Sequence, residues 1–457
     1  MKRILFFIVA VFLLGLVSAN NDFVFTDWFE QKLDHFDYTN DATWKQRYHI
    51  NQKYWEGEGP LIFYIGGEGP CTSRSVESGF VVEIAEELKG LVIALEHRFY
   101  GESQPFRHMT TENLKFLNSK QGLTDLAQFV SHIKKQIAIN GYTPKVMVVG
   151  GSYPGAMASW FCSWYESSGL VDFCYSSSGV INAIEKFTTF DDLIISVTGE
   201  QCSTALRRIS RLIDTKLEAK ATNRAIKKRL LAEKLIDADI YYLVADAMIM
   251  GPQYSQKSAL CNPINDAMSK HATDEELLTV FIRYLTETFY PNILHSTSAE
   301  YDRKYLLKTD TSKYATASRA WYWQKCTDLA YFQVYSEGDF RSPHLTVDWH
   351  LDKCKSVFGI ETRPRVEETN AIFGGANPKH QRNTLYVNAR DDPWQEASID
   401  RSKVAGNAKI SSIFITGDES GMYGHCIDLH ASKSDDTEVL KQARRDILAK
   451  VKYYLGM

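Results

Sequence analysis

The stretch Lys145-Val146-Met147-Val148-Val149-Gly150-Gly151-Ser152-Tyr153-Pro154-Gly155-Ala156 decides the fold. An apolar run suited to a buried strand meets a tight turn of small residues with a serine at its tip. A helix-like run, Ala156 to Tyr165, follows. Strand, sharp turn and helix around one serine is the pattern of a nucleophile elbow. The turn leaves no room for large side chains, so glycines flank the serine. The geometry lifts the hydroxyl above the end of a sheet and aims the helix N-terminus at a developing oxyanion. One position departs from G-x-S-x-G: Pro154 stands two after Ser152, and the glycine comes one later. Taken alone, the stretch reads equally well as a Gly-rich turn before a helix.

Working outward, the same rhythm recurs. Upstream, Leu61-Ile62-Phe63-Tyr64-Ile65 is a buried-strand run ending at Gly66-Gly67-Glu68-Gly69-Pro70. Val81 to Leu88 reads as helix. Leu91-Val92-Ile93-Ala94-Leu95 is a second strand, leading into Glu96-His97-Arg98-Phe99-Tyr100-Gly101. Leu126, Phe129, Val130, Ile133 and Ile137 recur at helical spacing. After the elbow, Phe173 to Ser177 is strand-like. Alternating strands and helices predict a mainly parallel sheet with helices on both faces. The earlier Trp28–Asp37 segment, with Arg47 to Asn51, reads as edge strands.

From about Ile184 the rhythm breaks. Leu206, Ile209, Ile213 and Leu217 share a helical face, and helix-like text runs from Lys227 to Met250 and from Glu275 to Phe289. This predicts a helical cap inserted over 184–370, between a first core part, 20–183, and a second, 371–457. In the second part, strands Thr384–Val387 and Ser412–Ile415 precede the loops Asp391-Asp392-Pro393-Trp394 and Gly424-His425-Cys426. A final amphipathic helix covers Val439 to Tyr454.

Bulk properties bound the rest. At 457 residues, with 44% hydrophobic and 24% charged, the chain can bury a large core. A net charge of −4 gives no reason to expect nucleic acid as a partner. Lys2 and Arg3, the apolar run Ile4–Val17 and the small residues Val17-Ser18-Ala19 predict a signal peptide over 1–19, cleaved after Ala19. The mature chain is then expected in the secretory or endo-lysosomal route, without a membrane span. Its eight cysteines predict disulfides, and no C-x-x-C pair points to a zinc site. No N-x-[ST] site occurs. No metal or cofactor is implied.

Serine needs a neighbouring base, and the base needs a carboxylate to fix its tautomer. The order serine, acid, histidine, each on a loop after a strand, is that of the α/β-hydrolases. Ser152, Asp391 or Asp392, and His425 supply it. Pro393 fixes the backbone behind Asp392, which favours Asp392 and leaves Asp391 free to face solvent. The Gly66–Pro70 loop stands where an oxyanion-hole N–H belongs, although by itself it reads better as a plain flexible turn. Trp394 reads equally as pocket wall or core.

These motifs together resemble the serine peptidases that include lysosomal Pro-X carboxypeptidase, dipeptidyl peptidase II and the thymus-specific serine protease, over nearly the whole mature chain. The residues that carry the resemblance are Leu33-Asp34-His35-Phe36, Gly66–Pro70, Glu96–Gly101, Gly150–Gly155, Trp323-Gln324-Lys325-Cys326-Thr327-Asp328, Asp392-Pro393-Trp394 and Gly424–Leu429. The histidine-cysteine motif and Tyr331-Phe332-Gln333 are most similar to the thymus-specific branch. The resemblance implies an α/β-hydrolase core with a helical cap. It implies a Ser152, Asp392, His425 triad and an oxyanion hole from the N–H of Tyr153 and of Gly67 or Glu68. It also implies a Cys326–Cys354 disulfide, with Cys202–Cys261 as a further pair, and a homodimer. Proline-selective relatives use methionines and tryptophans at the pocket. Here Ala156, Tyr331 and Leu429 stand there, and Trp394 is kept.

The expected activity is a serine exopeptidase acting on peptide substrates near a chain end, with cleavage after proline as one option. An esterase or lipase, or a non-catalytic binding relative, are the other readings. A carboxypeptidase needs a cation for the substrate carboxylate, and a dipeptidyl peptidase an acid for the free amine. Glu68, Glu96, Arg98 and Asp328 are the candidates.

Overall fold

The computed structural model describes residues 23–138, 142–377, 379, 381–399, 404, 407–418 and 420–457. The leader over 1–19 therefore lies outside the described residues.

Eight strands form one sheet: β1 (Val24–Lys32), β2 (Thr43–Asn51), β3 (Leu61–Ile65), β4 (Leu91–Leu95), β5 (Val146–Gly151), β6 (Phe173–Ser177), β7 (Thr384–Ala389) and β8 (Ile410–Ile415). Their spatial order is β1-β2-β4-β3-β5-β6-β7-β8. β1 pairs antiparallel with β2, and β2 with β4, while every later pairing is parallel. This is an α/β-hydrolase core. β3, β4 and β5 are short, largely apolar runs because both faces of the sheet are covered. Val146 and Val148 pack on one face with Phe63, Ile93 and Phe129. Met147 and Val149 pack on the other with Ile62, Val92 and Ile447. Alternate residues of one strand thus feed two cores.

The helices on the sheet are α1 (Phe80–Leu88), α2 (Ser119–Ile137) and α3 (Tyr153–Tyr165), which starts at the elbow. Pro154 sits in the first turn of α3, where no backbone N–H is needed. Cys162 of α3 is joined to Cys174 of β6, a disulfide the sequence did not single out.

Between β6 and β7 the longer described elements are all helical: α4 (Thr189–Glu218), α5 (Lys220–Arg229), α6 (Asp237–Gln253), α7 (Lys257–Ser269), α8 (Asp274–Tyr284), α9 (Ala317–Gln324), α10 (Val347–Phe358) and α11 (Val366–Phe373). Two single bridges, Ile184↔Ala330 and Phe187↔Gln333, interrupt them. The run expected from Lys227 to Met250 is broken. α5 ends at Arg229, Leu231 takes a left-handed φ of 55°, and Asp237 and Asp239 open a new helix where their charge suits its N-terminus. α4 is itself interrupted at Gly199, whose φ is 78°. Disulfides Cys202–Cys261 and Cys326–Cys354 tie α4 to α7 and the segment after α9 to α10. Helix α12 (Glu438–Leu455), capped by the Thr437 hydroxyl, closes the chain against the sheet.

Candidate active site

The elbow stands where β5 hands over to α3. Ser152 has φ 63° and ψ −126°, a strained backbone for a residue with a Cβ. Three hydrogen bonds hold it there. Its N–H donates to the Ser177 carbonyl at 2.9 Å, and its carbonyl accepts from Ala156 at 3.0 Å and Val180 at 3.3 Å. The flanking glycines are required by close approach. A Cβ on Gly150 would lie 2.3 Å from the Pro154 oxygen, and one on Gly155 2.7 Å from the Ser177 oxygen. The Ser152 side chain is partly exposed.

Asp392 and His425 arrive on loops that follow β7 and β8. Both Asp392 oxygens lie 2.9 Å from His425 Nδ1. A ring nitrogen between two carboxylate oxygens carries the proton, so Nδ1–H donates and Nε2 is left as the basic site. Asp392 is fully buried and also accepts from the Trp394 N–H at 3.0 Å. Burial works against a charged His425. The Asp392 carboxylate and the Cys426 thiol outweigh it and hold the ring well above the usual histidine range. Asp391 is not solvent-exposed as expected. It is 1% exposed and accepts from the Tyr423 N–H at 3.0 Å, fastening the acid loop to the histidine loop.

Ser152 and the histidine loop meet through β6. The Cys426 thiol donates to Ser177 O at 3.8 Å, the same carbonyl that receives the Ser152 N–H. The Cys426 N–H donates to Ser178 Oγ at 2.9 Å. Behind the loop, the buried Asp428 accepts from Ser177 Oγ at 2.8 Å and from the Tyr175 hydroxyl. From the other side, the His425 N–H donates to the Gln253 carbonyl at 2.7 Å and the Gly424 N–H to Ser255 Oγ at 3.1 Å. Asp428 falls within the Gly424–Leu429 motif without a role read for it, and Gln253 and Ser255 escaped the sequence reading. Gln253 and Ser255 hold the backbone of the histidine loop, for which no motif signals.

Gly67 lies against the elbow, its Cβ position 3.0 Å from Pro154 Cγ, so the Gly67–Glu68 turn faces Tyr153 and its neighbours. The Tyr153 ring is anchored below. Its hydroxyl is 3.2 Å from Ser119 Oγ and 3.3 Å from His97 Nε2. His97 Nδ1 donates to the Arg98 carbonyl at 2.8 Å, so Nε2 accepts from the tyrosine. Burial depresses the His97 pKa to about 4, which keeps it neutral in this role.

Trp394 is partly exposed. Its ring lies 6.3 Å from His425, 4.9 Å from Phe190 and 5.6 Å from Tyr331, the last nearly perpendicular. Tyr331 is fully buried, and its hydroxyl donates to the Val180 carbonyl at 2.5 Å. Ala156 is also fully buried, within the core beneath the elbow. Leu429 reaches the elbow, 2.9 Å from where a Gly151 Cβ would be.

The Glu96–Gly101 motif is structural. Glu96 is buried and accepts from Arg47 at 2.7 Å, from the Cys71 and Glu102 N–H groups and from the Ser103 hydroxyl. Arg98 is buried, with Nε and Nη2 each 2.6 Å from an Asp125 oxygen and Nη1 on the carbonyls of Leu33 and Phe116. Asp328 pairs with Arg365 at 3.1 Å on a separate cavity of about 580 Å³, lined also by Trp164, Phe373 and Lys120. Among the described residues, no group of three or more His, Cys, Asp or Glu is arranged to hold a metal ion.

The profile of the family described as Serine carboxypeptidase S28 matches residues 31–447. The chain is 35% identical over 384 residues to the probable serine protease EDA2 of Arabidopsis thaliana, covering 82% of this chain and 76% of that protein. It is 28% identical over 414 residues to the lysosomal Pro-X carboxypeptidase of Homo sapiens, covering 81% and 78%. It is 25% identical over 462 residues to the human thymus-specific serine protease, covering 94% and 86%. Likeness to a solved arylesterase structure is loose, with TM-score 0.38 at 9% identity over 100% of this chain and 93% of that one. The match along almost the whole chain shows that the protein belongs to the serine carboxypeptidase S28 family and is a serine-type peptidase.

Proposed function

We propose that this is a serine exopeptidase in which Ser152, His425 and Asp392 form the triad. Ser152 Oγ attacks the scissile carbonyl. His425 Nε2 takes the hydroxyl proton and returns it to the leaving amine, while Asp392 holds Nδ1–H and stabilises the cation. The acyl-serine is then released by water, which His425 activates in the same way. The N–H groups of Tyr153 and of the Gly67–Glu68 turn stabilise the tetrahedral oxyanion.

The observation that carries this reading is the two-oxygen contact of Asp392 with His425 Nδ1, on a loop tied to the carbonyl that also holds Ser152. The strained Ser152 backbone supports it further. Trp394 supplies the partly exposed wall for the substrate side chain, backed by the buried Tyr331 with Ala156 beneath, and a flat aromatic wall suits proline among other small apolar residues.

The stretch 184–370 acts as a cap on a core of 20–183 and 371–457, leaving room for a chain end. Support comes from Gln253 and Ser255, which hold the histidine loop from the inserted side. Three disulfides fit a lysosomal or secreted protein, and a leader over 1–19 cleaved after Ala19 accounts for the route.

Digestion of a peptide library, read by mass spectrometry at acidic and neutral pH, tests the proposal. Trimming from one chain end by the wild type and none by Ser152→Ala is expected. Cleavage only at internal bonds, or undiminished trimming by the variant, would overturn it.

A further inference from the structure

The cavity of about 580 Å³ at Asp328 plays no part in the triad chemistry. Its walls come from the start of α2, the far end of α3, the segment after α9, and α11. One wall is apolar. Trp164 and Phe373 stack with ring centroids 5.1 Å apart, and Ile372 joins them. The same cavity carries charges of both signs. Asp328, only 6% exposed, accepts from Arg365 Nη2 at 3.1 Å. Arg365 Nη1 is 3.9 Å from Glu368, and Lys120 Nζ is 3.4 Å from the same carboxylate. Lys120, Arg365 and Glu368 are exposed, and pairs this long between exposed groups contribute little.

A cavity of this size, with an aromatic wall and a few polar groups, suits a small molecule. The charges narrow the choice. A simple anion would face Asp328 and Glu368, and a simple cation would face Lys120 and Arg365. A zwitterion satisfies both signs. Its carboxylate accepts from the planar fork of Arg365, its ammonium donates to Asp328 or Glu368, and an apolar side chain lies on Trp164 and Phe373. The loose pairs already present yield at small cost. We propose that this cavity is a regulatory site for a free amino acid or dipeptide with an apolar side chain. An exopeptidase releases such zwitterions, so the regulatory half of the proposal rests on the reading above, while the binding half does not.

Two walls of the cavity lead to the active site. Ser119 lines the cavity, and its Oγ is 3.2 Å from the hydroxyl of Tyr153, the residue after Ser152. Thr369, also in the wall, donates to the Asp328 carbonyl at 2.9 Å. Just beyond Asp328 the chain turns through left-handed φ values of 57° at Ala330 and 47° at Tyr331. The Tyr331 ring then backs Trp394 at 5.6 Å. A ligand that draws on the Ser119 hydroxyl competes with Tyr153 for it. One that replaces Arg365 at Asp328 acts on the segment leading to Tyr331. Occupancy is therefore expected to loosen the support of the elbow and to lower kcat.

The test titrates L-phenylalanine, N-acetyl-L-phenylalanine, L-phenylalaninamide and the dipeptide Leu-Phe onto the whole protein by saturation-transfer NMR. Ser152 is first blocked with a fluorophosphonate, which fills the acyl side of the triad. Phenylalanine is expected to bind with a Kd on the order of 1 mM, as its size allows. Acetylation or amidation should each weaken it about tenfold, the loss of a charge-assisted contact. Arg365→Gln should weaken it by a similar factor. Lys120→Gln, at an exposed position that leaves the buried Asp328 pair intact, should weaken it about threefold. The tighter of phenylalanine and Leu-Phe identifies the amino acid or the dipeptide as the ligand. Saturating phenylalanine should lower the wild-type kcat on a chromogenic substrate about fivefold, the low end of common coupling, and the fall should vanish in Arg365→Gln. No binding to the blocked protein, equal binding of the three phenylalanine forms, or unchanged affinity in both variants would overturn the site. A kcat that ignores bound phenylalanine would overturn the regulatory role. Failure of the wild type to take the fluorophosphonate would instead sink the serine reading, and the titration on unblocked protein would still decide the binding.

Discussion

The backbone N–H of His425 donates to the carbonyl of Gln253 at 2.7 Å, so the loop that carries the ring is held by the end of α6. Core and inserted helices thus share control of one side chain. Tyr254 follows directly and places its ring 6.2 Å from His425. In the proposed triad catalysis depends on where that loop sits, and a shift of about 1 Å can cost a hundredfold.

Gly424→Ala tests this coupling. A Cβ at Gly424 would lie 2.3 Å from the Gln253 oxygen and 2.9 Å from the Ser255 N. The loop must move away from α6. We expect a fall in kcat of about a hundredfold, with KM and the circular dichroism spectrum nearly unchanged. The milder Ser255→Ala removes one acceptor, worth about 1 kcal/mol, and should cost roughly fivefold.

Asp392→Asn should lower kcat by about 10⁴ while leaving the fold intact, because the amide no longer fixes the proton on Nδ1. The pH profile gives an independent check. His425 must be neutral to act as base, so a raised pKa sets the acid limb of kcat/KM high. Asp392 is the chief group raising it. Its replacement should move that limb to lower pH, and a limb that stays in place would assign it to another group.

The Cys426 thiol lies beside His425 and is partly exposed, while the other free cysteine, Cys71, is 3% exposed. A maleimide should therefore inactivate the enzyme by adding bulk next to the ring. Cys426→Ser should resist. Equal loss in the variant would place the sensitive thiol elsewhere.

Stability should fall as pH rises from about 6.5 to about 8. Burial raises the Asp339 carboxyl to about 8, and the nearby Asp191 carboxylate adds to this. Its Oδ2 lacks a donor, and a proton there completes a hydrogen bond towards Asp191, which is engaged by Arg341. Burial also lifts Glu68 to about 7. A folded-state pKa above the unfolded one means the native state binds the extra proton, so its stabilisation is lost as pH rises through the folded value. His97 and the buried His350, both depressed by burial, act in the opposite sense, but only below the ordinary histidine value. Melting temperatures from about pH 6.5 to 8 should drop by several degrees in the wild type. The drop should shrink in Asp339→Asn, which stays neutral and can still donate to Asp191.

Much of the core was legible because its signals are local. β3, β4 and β5 are unbroken apolar runs, and the elbow glycines sit where backbone atoms approach to within 2.3 Å of a would-be Cβ. The order after late strands offered His425 with Asp391 or Asp392, and Pro393 favoured Asp392, whose oxygens lie 2.9 Å from His425 Nδ1. What escaped is non-local. The Gln253 carbonyl has no sequence signature, and Asp391 looks like a loop acid until Tyr423 is found donating to it. The Glu96 and Arg98 cluster reads as chemistry in one dimension. Only folding brings Arg47 and Asp125 to them and uses up their charges. The break between α5 and α6 was missed because apolar periodicity continues across it.

The most direct measurement is mass-spectrometric mapping of the residue modified by a fluorophosphonate in the folded wild-type protein. The account predicts a single adduct on Ser152, abolished in Ser152→Ala and strongly slowed in Asp392→Asn and His425→Ala. An adduct on a different serine, or none on a protein that still trims peptides, would contradict it.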